Sequence, residues 1–388
     1  MSDSNRVLLS YIKETTWGTT PATAPPTEIR MTGESLSYDI SNITSSEIRD
    51  DRQVTDLIQS GASMTGGFNF ELSYASFDDF LAGALFSTWS AKKDTTSTVI
   101  SVATATSLNQ FVTTVATDIS GIVAGQWVRT SGFAAATNNG YHRVTAVATL
   151  SLTVSSTLQK VTAGATVTLE ARYLRNGTTE SSFSIERKHA DLSPLVYFIF
   201  TGLVVNSFSL SLQAQQIVTG SFDFVGEAAT VGASAMTSGT LVDANDNTPL
   251  NAVSNVANVL ENFTAVTSCL VQSLDFTLNN NLRGLTAIGA LGNCDIGSGQ
   301  VDITGTLNAY FKSKALYDKY IAGTATSLSF RLLDLDGNAY IFTFPTVKFE
   351  SDKANAGSSN QDIIENIGWR ALRNATYNCM IQIDKFDV

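Results

Sequence analysis

Charge, histidine, cysteine and proline are all scarce in this sequence. Of its 388 residues only 15% are Asp, Glu, Lys or Arg, beside 43% hydrophobic ones. That balance excludes a disordered chain and suffices for a sizeable core, and the length suggests two or three domains. Positive charge is the scarcer sign: 24 Lys and Arg against 35 Asp and Glu leave a net charge of -11, which argues against a surface that grips nucleic acid by neutralising phosphates. The three cysteines, Cys269, Cys294 and Cys379, are odd in number and lack a metal-site spacing, so the disulfide framework of a secreted domain is not expected and a reducing cytoplasm suits them. Residues 1–6 show no basic patch followed by an apolar core, so no signal peptide is expected. Long hydrophobic runs are missing too. The longest, LVYFIFTGLVV at 195–205, falls well short of the ~20 residues that span a bilayer and reads as a buried strand or strand pair.

Chemistry is equally sparse. His142 and His189 have no His/Glu or His/Cys spacing that would ligate a metal or orient a nucleophile. Asp78 and Asp79 are adjacent, so on a helix they point apart and cannot flank one bond. DLDGN at 334–338 has the flavour of a calcium loop without the rest of an EF-hand, and Asp336 with Gly337 suits a hairpin turn. No phosphate-cradling loop is present. The sequence is read as a non-enzyme without metal or cofactor.

Thr, Ser, Ala, Val and Gly dominate, a mix that favours extended structure, so a mainly β protein is expected. The strands show in period-two alternation. Leu36, Tyr38 and Ile40 oppose Ser37, Asp39 and Ser41; after a long polar stretch Phe68, Phe70, Leu72 and Tyr74 oppose Asn69, Glu71 and Ser73, as in a hairpin with an extended loop. Phe208, Leu210 and Leu212 alternate with Ser209 and Ser211, and Phe222 and Phe224 flank Asp223. A third instance sets Leu274, Phe276 and Leu278 with Val301, Ile303 and Leu307, leaving Asp275, Thr277, Asp302, Thr304 and Thr306 opposite; residues 363–383 suggest a fourth, less clean.

The first and third instances are each followed by a helix. Ser76 before FDDFLAGAL has Asp79 at capping-box spacing, and Ser313 precedes KALYDKYIAG, which Gly323 can end. Strand, long loop, strand, helix thus occurs twice, which predicts two related β-sandwich units, each flanked by a short helix. Residues 1–91 and 173–227 form the first, discontinuous unit and 265–388 the second. Residues 92–172, rich in Thr, Val and Ala with turns at Gly121, Gly125, Gly132 and Gly140, read as a small inserted β domain, and 228–264 as an exposed linker.

Several runs, in this order, resemble the tail tube (major tail) proteins of siphophages: ETTWGTTP at 14–21, TGESL at 32–36, EIRDDRQVTDL at 47–57, ELSYASFDDFLAGAL at 71–85, and FTGLVVNSFSLSL at 200–212 with IVTGSF at 217–222. The insert's run at 131–147 resembles accessory domains of some members; the second half matches in pattern rather than in words. The resemblance implies a β-sandwich flanked by a helix, stacked rings of six domains, and a smooth lumen through which DNA passes during ejection. Such a subunit is expected in the virion tail, assembled in the host cytoplasm beside a tape-measure protein and tail terminator and distal tail proteins, with no membrane partner.

If the apolar side of the strands packs on helices at 77–86 and 315–321, the other side is solvated, and in a closed barrel it faces the channel. The lumen candidates are Ser37, Asp39, Asn69, Glu71, Ser209, Ser211, Asp223, Asp275, Thr277, Asp302 and Thr304, a hydrophilic and slightly anionic set; the alternative is the solvent face of a free sandwich. Loops 42–66 and 280–299 are too long for simple turns and are expected to order against the next ring, with Glu47, Arg49, Asp50, Asp51 and Arg52 offering both signs for inter-ring pairing. Two units per chain predict rings of three chains; otherwise six are needed. The rival reading is a surface adhesin or carbohydrate-binding protein, with Trp127 or Tyr141 of the insert exposed to a glycan.

Overall fold

The computed structural model describes residues 2–102, 108–253, 256–265 and 271–387; Cys269 lies outside these. The alternating segments become two sets of antiparallel strands built to one scheme. In the first unit β1 (Val7–Lys13) precedes the hairpin β2 (Ser37–Thr44) and β3 (Leu57–Glu71); after α1 (Asp78–Ala84) come β4 (Ser182–His189), β5 (Val196–Gln213), β6 (Thr219–Gly226) and β7 (Ala228–Gly232). The second repeats the order with β8 (Val256–Glu261), β9 (Val271–Asn279), β10 (Asp302–Tyr310), α2 (Ala315–Ala322), β11 (Thr326–Leu333), β12 (Ala339–Ala354), β13 (Ile364–Ala371) and β14 (Gln382–Phe386).

The pairings repeat as well. The first half of β5 takes β4 and β7 and its second half takes β6, which pairs on to β3. Likewise the first half of β12 takes β11 and β14 and its second half takes β13, which pairs on to β10. Each long strand breaks register at the same place, between Val205 and Ser207 against β6 and between Phe349 and Ser351 against β13. Such a bulge bends a strand, so that one strand serves two layers of a sandwich. The fold is mainly β, with two tube-type units that each follow their hairpin with a short helix.

Aromatic rings fill the space between layers. Phe80 of α1 lies 5.1 Å from Phe68 and 5.6 Å from Phe222, Phe208 stacks on Phe222 at 5.0 Å, and Phe208 meets Phe276 of the second unit edge-on at 5.5 Å. That last contact makes the two cores one. Fully burying a ring stabilises by roughly 1.5–3 kcal/mol, so this cluster dominates the favourable side of folding.

Residues 93–171 form a separate seven-stranded sheet with its own core around Phe111, Val128, Leu152 and Leu169. It is docked on the second unit. Trp127 is buried there: its backbone N–H donates to Asp384 at 3.1 Å and its indole to Thr343 at 3.1 Å, while Tyr141 packs edge-on against Phe386 at 5.1 Å. Burial pushes the Asp384 carboxyl up to about 7, against the hydrogen bonds from Gln382 and Trp127 that favour its charged form.

Five local expectations need correction. Ser76 does not cap α1; its hydroxyl is taken by Ser73 and Asn245, and no side chain caps the helix. α2 has no fully buried residue, whereas α1 buries Phe80 to Ala84. Most of 42–66 is strand rather than loop, because the hairpin β2–β3 projects beyond the sandwich, where both faces are wet and alternation is lost; Ile40 is exposed for the same reason. Similarly 280–299 contains a two-stranded hairpin, Arg283–Leu285 with Asp295–Gly297. The stretch read as a linker begins with β7, and further on it buries Leu250 and bridges Thr27, Ser73 and Ile217 through Val242, Pro249 and Asn251.

Candidate lumen face and subunit edges

The two units join because the second half of β5 pairs with β9. Strands then lie side by side in the order β2, β3, β6, β5, β9, β10, β13 and the second half of β12. Directly opposed residues form rows across both units. One runs Asn69, Ser221, Ser209, Thr277, Thr304, Arg370. Its neighbours on the same face run Glu71, Thr219, Ser211, Asp275, Thr306, Gly368 and Gly67, Asp223, Ser207, Asn279, Asp302. The rows between them belong to the other face, such as Phe68, Phe222, Phe208, Leu278, Ile303, and are buried. Two glycines sit in the apolar row Phe70, Gly220, Leu210, Phe276, Gly305, Trp369, where a side chain has no room: a Cβ would lie 2.5 Å from the Phe70 ring at Gly220 and 2.4 Å from the Trp369 ring at Gly305.

Every one of the eleven candidate residues is half-buried or exposed. Ser37, Glu71, Ser209, Ser211, Asp275, Asp302 and Thr304 are half-buried, and Asp39, Asn69, Asp223 and Thr277 are open. Ser37 and Asp39 stand opposite Thr65 and Ser63 of β3, in line with Asn69. Hydroxyls and carboxylates bond within the face: Ser207 donates to Asp223 at 2.8 Å, and Ser209 and Ser221 share a bond of 2.8 Å. Burial raises the Asp275 carboxyl's pKa, opposed by hydrogen bonds from Thr306. Sequence reasoning set Thr306 on this side without counting it among the candidates; it missed Ser207, Thr219, Ser221 and Asn279, which only strand pairing puts in these rows, and it missed Arg370. Alternation with Ile367, Trp369 and Ala371 is the signal that could have found Arg370. Its guanidinium binds Glu350 at 2.5 Å and also Asp302, which hold it further toward the charged form; Lys348, directly opposite Arg370, and Lys353 add two exposed cations to the same face.

The array ends on two open edges: among the described residues β2 pairs only with β3, and the second half of β12 only with β13. The helices differ correspondingly. α1 is covered by the second unit, with Tyr340 and Lys385 each donating to Asp78 at 2.5 Å and Tyr74 donating to the Phe386 carbonyl at 2.8 Å. α2 leaves Tyr317 41% and Ile321 67% exposed.

Glu47, Arg49, Asp50, Asp51 and Arg52 sit together, all exposed, at the tip of the projecting hairpin. Arg49 and Asp51 pair with each other at 2.7 Å, a surface bridge that contributes little to stability. Apolar side chains stand beside them: Ile48 is fully exposed and Val54 is 72% exposed.

The remaining chemical candidates are absorbed by structure. Trp127 is buried and Tyr141 half-buried against the second unit, so the aromatic platform expected of a glycan-binding insert is used in docking. His142 is held by Ser156 and the Asn138 carbonyl, and Asp334 accepts from the amides of Asp336 and Asn338 in the turn between β11 and β12. Among the described residues no cluster of His, Cys, Asp and Glu could hold a metal, and no helix is long and apolar enough to cross a membrane.

A protein-family model described as phage tail tube protein matches residues 4–371, which span the first unit with its insert and the second unit as far as β13. The chain belongs to the phage tail tube protein family. A search of the curated proteins found no match. Family membership gives the subunit a structural role in the virion tail, self-assembling into a tube with other tail components.

Proposed function

We propose that this subunit closes into rings of three chains, six units in all, which stack into the tail tube of a long-tailed phage, and that the polar rows line its lumen. The continuity of the row from Asn69 through Ser209 and Thr277 to Arg370 carries this reading, because one unbroken hydrophilic face spans both units with the apolar core behind it. Asp39, Glu71, Asp223, Asp275, Asp302 and Glu350 outnumber Lys348, Lys353 and Arg370 and leave that face anionic, and the clasp of Arg370 between Asp302 and Glu350 keeps it from acting as a phosphate ligand. DNA then slides during ejection without being held. The projecting hairpin, with its charges and its bare Ile48 and Val54, supports ring-to-ring stacking. The tape-measure protein, the tail terminator and the distal tail protein complete the assembly in the host cytoplasm.

Electron microscopy of the purified protein tests this. Rings or tubes of threefold symmetry with a hollow centre are expected. A protein that stays monomeric at every concentration and salt, or rings with the polar rows facing outward, overturns it.

A further inference from the structure

The joint between the two units has an unused counterpart. In the joint, Ser209 stands opposite Thr277 and Phe208 opposite Leu278. One constant shift carries β5 onto β12, placing Phe200 on Phe344, Leu203 on Val347, Phe208 on Asp352 and Ser209 on Lys353, with the register break preserved. A second shift carries β2 onto β9, Ser37 onto Thr277 and Tyr38 onto Leu278. The counterpart is therefore β12 against β2, the two open edges at opposite ends of the array.

The β12 side carries two buried carboxyls where the first unit has Phe208 and Gly220. Asp352 is 9% and Glu365 2% exposed, and no donor reaches Asp352 Oδ1 or Oδ2 or Glu365 Oε1. The carboxyls interact with each other. Burial first, and then the neighbouring Asp352, push Glu365 up to about 7, and burial raises Asp352. The surrounding charges are paired elsewhere or lie exposed on the opposite, polar side of the strands. On α2, Lys319 is taken by Glu261 and Lys314 by Asp318; on the polar side, Glu350 is taken by Arg370, and Lys348 and Lys353 lie exposed; β10 presents Leu307 and Ala309. A proton shared by the pair is what keeps two adjacent carboxyls in this place.

We propose that β12 of one copy pairs with β2 of the next in the register of the internal joint, Lys353 opposite Ser37 and Asp352 opposite Tyr38, and that this joint closes when Asp352 and Glu365 share a proton. The proposal rests on the ring reading and gives it a register and a control. Docking of β2 covers the acids further, so the docked state binds the proton more tightly than the free edge. Closure is favoured at pH below the pair's raised pKa and weakens as pH rises through it. The same superposition brings Tyr317 and Ile321 of α2 toward β7 of the next copy, whose Val231 is 61% exposed.

The test uses the full chain with Cys269→Ser and Cys294→Ser. Ser37→Cys with Lys353→Cys is expected to oxidise into a closed three-chain species on non-reducing gels, and Ser37→Cys with Ser351→Cys is not. Sedimentation from pH 5 to 9 is expected to show wild-type association weakening by up to about tenfold per pH unit above neutrality. Asp352→Asn, with Glu365→Gln as a second variant and thermal unfolding as the folding control, is expected to flatten that dependence. Rings that form but cross-link in another register, or assemble alike at all pH values, overturn this inference and leave the ring reading standing; a protein that never forms rings overturns the ring reading itself.

Discussion

Ser209 of the first unit stands directly opposite Thr277 of the second, with Ser221 on its other side, so the polar face crosses the joint without a step. If this face lines the channel as proposed, a passing duplex meets hydroxyls at the seam rather than a change of charge.

Lysine at both positions should reverse this. Ser209→Lys with Thr277→Lys is expected to leave the fold intact, because both side chains stand on the polar face, away from the apolar core. In assembled tubes it should convert weak repulsion into salt-dependent retention of duplex DNA, measurable by co-sedimentation at rising ionic strength, with a slope that grows with each phosphate contact.

The apolar face tolerates less. Gly305→Ala puts a methyl group 2.3 Å from the Asp275 carbonyl and 2.4 Å from the Trp369 ring. Overpacking of this kind costs typically 1–3 kcal/mol. Thermal unfolding should show a lowered midpoint, and Trp369 fluorescence should shift as the ring is displaced.

Ring closure and ring stacking should separate by mutation. Ile48→Asp with Val54→Asp at the hairpin tip is expected to leave single rings and remove long tubes in negative-stain images, since both residues are exposed in the subunit and neither belongs to its core.

Asp384 gives a pH signature of insert docking. Its carboxyl is raised in the fold, to about 7 from an unfolded value of 3.8, so its stabilising contribution is complete below pH 3.8 and is lost as pH rises toward 7. Asp384→Asn should unfold at higher temperature than wild type at pH 8 and remove the slope between those values.

Deleting 92–172 is a stricter test of the insert. Ser90 and Tyr173 are already hydrogen-bonded, the Ser90 N–H donating to the Tyr173 carbonyl at 2.9 Å, so the ends can be joined without moving either unit. Tubes should persist, while the midpoint falls because Ile341 and Phe386 lose their cover from Trp127 and Tyr141. Loss of assembly in a folded deletion variant would show that the insert takes part in the ring.

Strand alternation was legible wherever one face is dry and the other wet, which is why Phe68, Phe70, Phe208 and Phe222 mark their strands. It failed in the projecting part of β2–β3, where the stretch LIQS at 57–60 has no dry side, and in α2, whose spacing signals a helix but not how little of it is covered. The polar rows were half visible. Ser209, Thr277 and Thr304 follow from parity within a strand, but their alignment into one row depends on pairing between strands far apart in sequence. The acid pair Asp352 and Glu365 could not be anticipated at all, since each residue occupies a parity that elsewhere in the chain means a hydrophobic side chain.

The β5–β9 joint lies inside one chain, and that changes how assembly proceeds. Contact between these strands is an intramolecular event at high effective concentration, formed as the chain folds. Any ring built from such subunits has half of its seams closed before the first collision. Only the other half is left for diffusion, and for selection, to adjust.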